Sequence, residues 1–214
     1  SNPHLQKLPL QWFSGLWKCS LHLLSLYLDS HLTPMQQLAA ELAYLAGQTG
    51  FYLPVIIGGG VQYDDLPAYS GARKINDLRQ TSASLIDEML PVALENQERV
   101  ADALRTAGVG ARVIPLETIR VKPRGQEYDR KTHQDVDLGF VGDVVTIDTK
   151  GINGAIYAGE IPVMSHLGLC PDDGRVYNLN ATTFAAELVK VLGSRKLIIV
   201  GDTAVKDGEE VIRT

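Results

Sequence analysis

Apolar residues along the chain alternate between a helical and a strand-like spacing. Leu38, Leu42 and Leu45 recur at helical intervals behind Thr33-Pro34-Met35-Gln36. There a Thr hydroxyl faces a Gln three residues on, and a proline takes the first helical position, which predicts a capped helix ending near Gly47. Phe51-Tyr52-Leu53-Pro54-Val55-Ile56-Ile57 is a continuous apolar run. It reads as a strand buried on both faces, cut off at once by Gly58-Gly59-Gly60. After a turn-rich stretch to Arg79, helical spacing returns over 82–107 through Leu85, Ile86, Met89, Leu90, Val100, Ala103 and Leu104. A kink is expected at Pro91 and an end at Gly108 and Gly110.

Residues 111–121 alternate as a hairpin or as two short strands, and the polar stretch 122–137 reads as an exposed loop or β-ribbon. Residues 144–148 and 161–165 are two further apolar strands around a short helix at 153–158. Asp172-Asp173-Gly174 marks a hairpin turn. A helix over 181–192 and a strand over 196–200 close the pattern. Residues 4–29 fit neither period. Strands alternating with helices predict an α/β fold, with a mostly parallel central sheet covered by helices on both sides, a three-layer sandwich.

Composition narrows the function classes. With 45% hydrophobic and 21% charged residues in 214 positions, the chain has a globular profile and length for one large domain. A net charge of −5 without a basic cluster argues against nucleic acid as a partner. Cys19 and Cys170 stand alone, so no disulfide framework or zinc site is expected, and a reducing, cytoplasmic setting is. Lys18, Ser20, His22 and Ser25 interrupt the apolar stretch 16–28, which is too short and polar to span a membrane, and no membrane partner is expected.

In a parallel sheet, ligands bind beyond the carboxyl ends of strands. Two places fit. Gly58, Gly59 and Gly60 form either a tight turn or a cradle in which backbone N–H groups meet an anion. Asn178 to Thr183 place amides and hydroxyls at the mouth of a helix, where Asn178 and Asn180 serve as caps, as ligand-binding groups or as both. The spacing matches neither the dinucleotide GxGxxG fingerprint nor the GxxxxGK[ST] phosphate loop. Arg79, ahead of the long helix, is suited to a bidentate contact with a carboxylate, or is a solvated surface residue. His4, His22, His31, His133 and His166 have no metal-ligand or nucleophile-base spacing and read as ordinary core or surface residues.

Six segments in order resemble the N-acetylglutamate kinases of the amino acid kinase family, and the kinase-like domain ahead of the acetyltransferase in some N-acetylglutamate synthases. Val55-Ile56-Ile57-Gly58-Gly59-Gly60-Val61-Gln62 is similar to the family's VVHGGGPQ, and Asn76 to Thr81 to its GLRVT. Asn96 stands where the family has VNKEL, Gly139 to Val144 resembles GHVGEV, Ile161 to Ser165 resembles IPVIS, and Tyr177 to Ala181 resembles YNVNAD. The resemblance implies an amino acid kinase-like sandwich in which Gly58, Gly59, Gly60, Arg79, Asn178 and Asn180 bind N-acetylglutamate or a similar acyl amino acid. It also implies ATP and Mg as cofactors, a place in arginine biosynthesis, and a homo-oligomer. The implied division is an N-terminal packing or oligomerisation segment at 1–32, carrying Leu5, Leu8, Trp12, Phe13 and Trp17, a substrate part at 33–175, and the start of a nucleotide-binding part at 176–214.

Departures from the family pattern bear on catalysis. Lys18 takes the place of the lysine that steadies the phosphoryl group, but the glycines that should follow it are absent. Thr182 replaces the Asp that orients two catalytic lysines. Loss of one such preorganised element typically costs about 2.7–4 kcal/mol of transition-state stabilisation. The sequence stops at Thr214, where the family continues into its ATP-binding half. The expectation is an acyl amino acid binder with impaired phosphoryl transfer. The alternatives are an active kinase of which this is a part, and a regulatory or oligomerisation module of an N-acetylglutamate synthase.

Overall fold

The computed structural model describes residues 22–26, 32–47, 53–59, 61–200, 206–207 and 210–211. Its main sheet has five strands, all parallel, in the order β13 (Lys196–Val200), β1 (His22–Leu26), β2 (Val55–Ile57), β10 (Glu160–Ser165) and β5 (Gly110–Val113). Residues 22–26, which carry no clear period in the sequence, are thus an interior strand paired on both sides. The strand expected over 51–57 joins the ladder only from Val55. Pro54 just before it has no N–H to donate.

Side-chain alternation along these strands separates two cores. Val55, Ile57, Ile161 and Val163 pack with Ala39 and Leu42 of α1 (Leu32–Gly47) and with Val100, Ala101 and Leu104 of α3 (Ala83–Thr106). Ile56 and Met164 turn the other way, onto Ile152 and Ile156 of α4 (Thr149–Tyr157) and Phe184, Ala185 and Leu188 of α5 (Ala181–Leu192). Helices therefore cover both faces, which explains the unbroken apolar run at 55–57 and confirms the three-layer α/β sandwich.

Several boundaries differ from expectation. The first helix begins at Leu32, one residue before the expected cap. Ser82 caps α3 by accepting the Leu85 N–H, and the helix runs unbroken through Pro91. Pro91 is exposed, and so is Asp87, whose carbonyl loses its helical donor there and is left to water. Residues 111–121 resolve into strands of two different sheets. β6 (Ile119–Pro123) pairs with β9 (Gly142–Ile147) and β11 (Leu167–Leu169), and β11 forms a hairpin with β12 (Val176–Asn178). The polar stretch is a ribbon of β7 (Gln126–Asp129) and β8 (Gln134–Asp137), beside a short hairpin of β3 (Lys74–Ile75) and β4 (Leu78–Arg79). A two-stranded ribbon of β14 (Lys206–Asp207) and β15 (Glu210–Val211) follows β13. Lys18, Gly60 and the aromatic residues of the N-terminal segment lie outside the described residues. No helix among the described residues is long and apolar enough to cross a membrane.

Candidate functional site

A cleft of about 160 Å³ opens where β2 and β10 end, lined by Gly59, Tyr63, Arg79, His166, Asn178 and Asn180 among others. The two strands are neighbours with Ser165 paired to Ile57, so the residues after each strand, Gly58 and His166, emerge side by side. Gly58 is buried. Gly59 does not use the left-handed backbone that only glycine adopts freely. Its lack of a side chain serves packing, since a Cβ there would come within 2.9 Å of the Tyr63 ring.

The β3–β4 hairpin forms a second wall through Lys74, Asp77, Leu78 and Arg79. Asn76 and Asp77 have φ of 46° and 69°, as a two-residue hairpin turn with two left-handed positions requires. Asn76 also ties the hairpin tip to the ribbon, donating to Glu127 Oε1 at 3.1 Å and to the Tyr128 carbonyl. That amide, ahead of Arg124, holds the Glu127 carboxyl below the usual carboxylate range.

Arg79 is anchored twice. Its Nη1 donates to the carbonyls of Tyr69, in the short helix α2 (Pro67–Ser70), and of Ala72, each at 3.1 Å, and its guanidinium carbon lies 3.7 Å from the centre of the Tyr69 ring. One nitrogen is thus committed to the protein, and the group is fixed as a flat cationic plate at the cleft wall. Asn178 also lines the cleft. Its N–H donates to the Phe140 carbonyl, and its side-chain amide donates to Thr81 Oγ1 at 3.1 Å. Asn180 caps α5, accepting the Thr183 N–H at 3.0 Å, which brings the positive end of that helix to the cleft at Ala181.

The sequence-based site residues therefore divide. Gly59, Arg79, Asn178 and Asn180 converge on one cleft, whereas Gly58 is buried and is not among the residues that line it. Thr182 sits half-buried in the first turn of α5 and is not among the residues lining the cleft. His166, read from the sequence as an ordinary residue, lines the cleft while only 4% exposed. Its Nδ1 lies 3.0 Å from the Ile57 carbonyl, and burial pushes its pKa down to about 4. The signal available in the sequence was its position just after an apolar strand. Tyr63, buried against the same ring, is held protonated by burial and by Tyr69. A fixed guanidinium, a carboxamide and a helix N-terminus are groups with the chemistry to attract and orient a small anion. Among these groups none is arranged as a nucleophile with a base.

A sequence profile of the amino acid kinase family matches residues 25–208. An acetylglutamate kinase of Symbiobacterium thermophilum is 32% identical over 161 residues, which cover 72% of this chain and 54% of that protein. One of Trichormus variabilis is 32% identical over 181 residues, 82% of this chain and 57% of its own. The chain thus spans about half the length of the curated relatives it matches. Among solved structures, N-acetylglutamate synthase from Neisseria gonorrhoeae, complexed with coenzyme A and N-acetyl-glutamate, superposes with a TM-score of 0.72. That match covers 87% of this chain and 42% of the synthase at 22% identity, a likeness of fold. By its sequence and its fold, the chain belongs to the amino acid kinase family.

Proposed function

We propose that the cleft binds N-acetylglutamate or a similar acyl amino acid, in an acetylglutamate kinase-like protein of arginine biosynthesis whose phosphoryl transfer is impaired in this chain. The observation that carries this reading is the convergence of Gly59, Arg79, Asn178 and Asn180, drawn from three distant parts of the sequence, on one cleft. Arg79 and Asn178 take the α-carboxylate. The N-terminus of α5 and the Gly59 amide face the other end of the ligand, where charge develops during transfer. ATP with Mg supplies the phosphoryl group and part of its charge neutralisation when bound. This chain's own part is to hold the acceptor carboxylate in line. Thr182 offers a neutral hydroxyl at the first turn of α5, where the family resemblance calls for a carboxylate, which supports weak transfer.

Calorimetric titration of the 214-residue chain with N-acetyl-L-glutamate is expected to give micromolar to millimolar binding that Arg79→Ala abolishes. Absence of heat with the unaltered chain would overturn the reading. A second reading, an active ATP-dependent acetylglutamate kinase of which this chain is a part, is favoured by 32% identity to such an enzyme over 161 residues. ATP-dependent hydroxamate formation by the natural gene product tests it, and Thr182→Asp is expected to raise the rate if transfer is limited at that position.

A further inference from the structure

His166 occupies the junction of β10 and the cleft in a fixed pose. Its Nδ1 lies 3.0 Å from the Ile57 carbonyl, its ring packs on Tyr63 with centroids 5.5 Å apart, and its own carbonyl accepts the Leu179 N–H at 2.9 Å. A carbonyl oxygen can only accept, so Nδ1 carries the hydrogen and Nε2 keeps a lone pair in the neutral ring. Arg79 and Lys74 are donors only, and the Asp77 carboxylate is 90% exposed and bridged to Lys74 at 3.5 Å. With Nδ1 committed to the Ile57 carbonyl, the remaining polar atom of this cleft-lining ring is Nε2, an acceptor in the neutral form.

We infer that His166 sets the ligand class of the cleft, its Nε2 accepting a hydrogen bond from the amide N–H of an N-acyl amino acid whose carboxylate is held by Arg79 and Asn178. The inference rests on the acyl amino acid reading of the site and adds its basis of selection. An N-acyl amino acid carries one N–H next to its carboxylate. The corresponding ester has the same shape but puts an oxygen lone pair against the lone pair of Nε2. A site built to pair a substrate N–H rejects the analogue that lacks it, because a buried polar group is then left unpaired.

The test is calorimetric titration of the 214-residue chain with N-acetyl-L-glutamate and with its ester isostere, (S)-2-acetoxyglutarate. The unaltered chain is expected to bind the ester roughly tenfold more weakly or worse. In His166→Leu the ratio is expected to fall to within about twofold. Because the ring is buried, a second measurement uses the unaltered chain alone. The ¹⁵N resonance of His166 Nε2 is expected to move upfield on addition of the amide and to stay in place with the ester. Equal affinities in the unaltered chain, an unchanged ratio in His166→Leu, or an Nε2 resonance blind to the amide each overturn the role of His166 while leaving the acyl amino acid site standing. Binding of neither ligand overturns both.

Discussion

Asn178 donates its side-chain amide to Thr81 Oγ1 at 3.1 Å across 97 positions of sequence. The Thr81 hydroxyl in turn donates to the Arg79 carbonyl at 2.8 Å. One buried hydroxyl therefore joins the backbone of the residue that carries the cationic plate to the carboxamide of another residue of the cleft. Thr81 is fully buried, and its backbone bridges to Gly139, so the relay has little freedom to shift.

Thr81→Val keeps the shape and removes the relay. It leaves the half-buried Asn178 amide without this partner, a loss of about 0.5–1.5 kcal/mol of stability. Affinity for N-acetyl-L-glutamate is expected to fall several-fold with it, while Thr81→Ser retains both. Urea unfolding and calorimetry on the two variants check this. Unchanged affinity in Thr81→Val would show that the hydroxyl does not align Arg79 with Asn178.

Gly139 meets the same threonine from the other side. Its φ is +66°, and a Cβ there would lie 2.4 Å from the Thr81 carbonyl oxygen. That carbonyl is held at 2.7 Å by the Phe140 N–H and cannot retreat without breaking the bond. Gly139→Ala is therefore expected to destabilise the chain by about 2 kcal/mol or more, through backbone strain and the clash together. Gly71→Ala is the control, since a Cβ there has nothing within 4 Å. A denaturation midpoint equal in the two variants would refute the claim.

What the sequence disclosed depended on how local the cause was. The cap at Asn180 and the helix behind it are written within four residues, and the apolar runs at 161–165 and 196–200 announce strands directly, the first buried inside the sheet and the second at its exposed edge. β1 was illegible because His22 and Ser25 interrupt its leucines, and what places it is a ladder to distant partners such as Lys196. Arg79 could be singled out as a guanidinium near a strand end. The carbonyls of Tyr69 and Ala72 that hold it belong to the backbone and leave no trace in residue identity. His166 joined the cleft through the pairing of Ser165 with Ile57, a register that no spacing along the chain encodes.

The anchoring of Arg79 separates its charge from its shape. Lysine retains the charge, but it has neither the flat face that stacks on Tyr69 nor a fork that reaches two carbonyls while presenting further donors to the cleft. Arg79→Lys is expected to weaken N-acetyl-L-glutamate binding about tenfold or more, approaching the loss of binding in Arg79→Ala. Tyr69→Leu keeps the carbonyl acceptor and removes the stack on Arg79, about 0.5–1 kcal/mol or a few-fold in affinity, along with the ring's packing on Tyr63 at 5.6 Å. Near-normal binding by Arg79→Lys would mean that charge alone suffices.

Burial of His166 ties stability to pH in a definite window. Its folded pKa is pushed down to about 4, chiefly by burial and against the opposing hydrogen bond to Ile57, whereas an unfolded histidine titrates near about 6.5. Between those values the unfolded chain takes up a proton that the folded chain refuses, so acid favours unfolding. The contribution is whole above about pH 6.5 and declines as the pH falls toward about 4, by up to about 3 kcal/mol. Tyr63, which shares the cleft, is held protonated by burial and does not change charge in that range. The carboxyls of Asp129 and Asp173 are held below their usual range, and their stabilising effect is lost only at still lower pH. Urea unfolding from about pH 7 to about pH 5 should therefore show a loss in the unaltered chain that His166→Asn largely removes. An equal slope in both would mean that this ring is not the group that resists the proton.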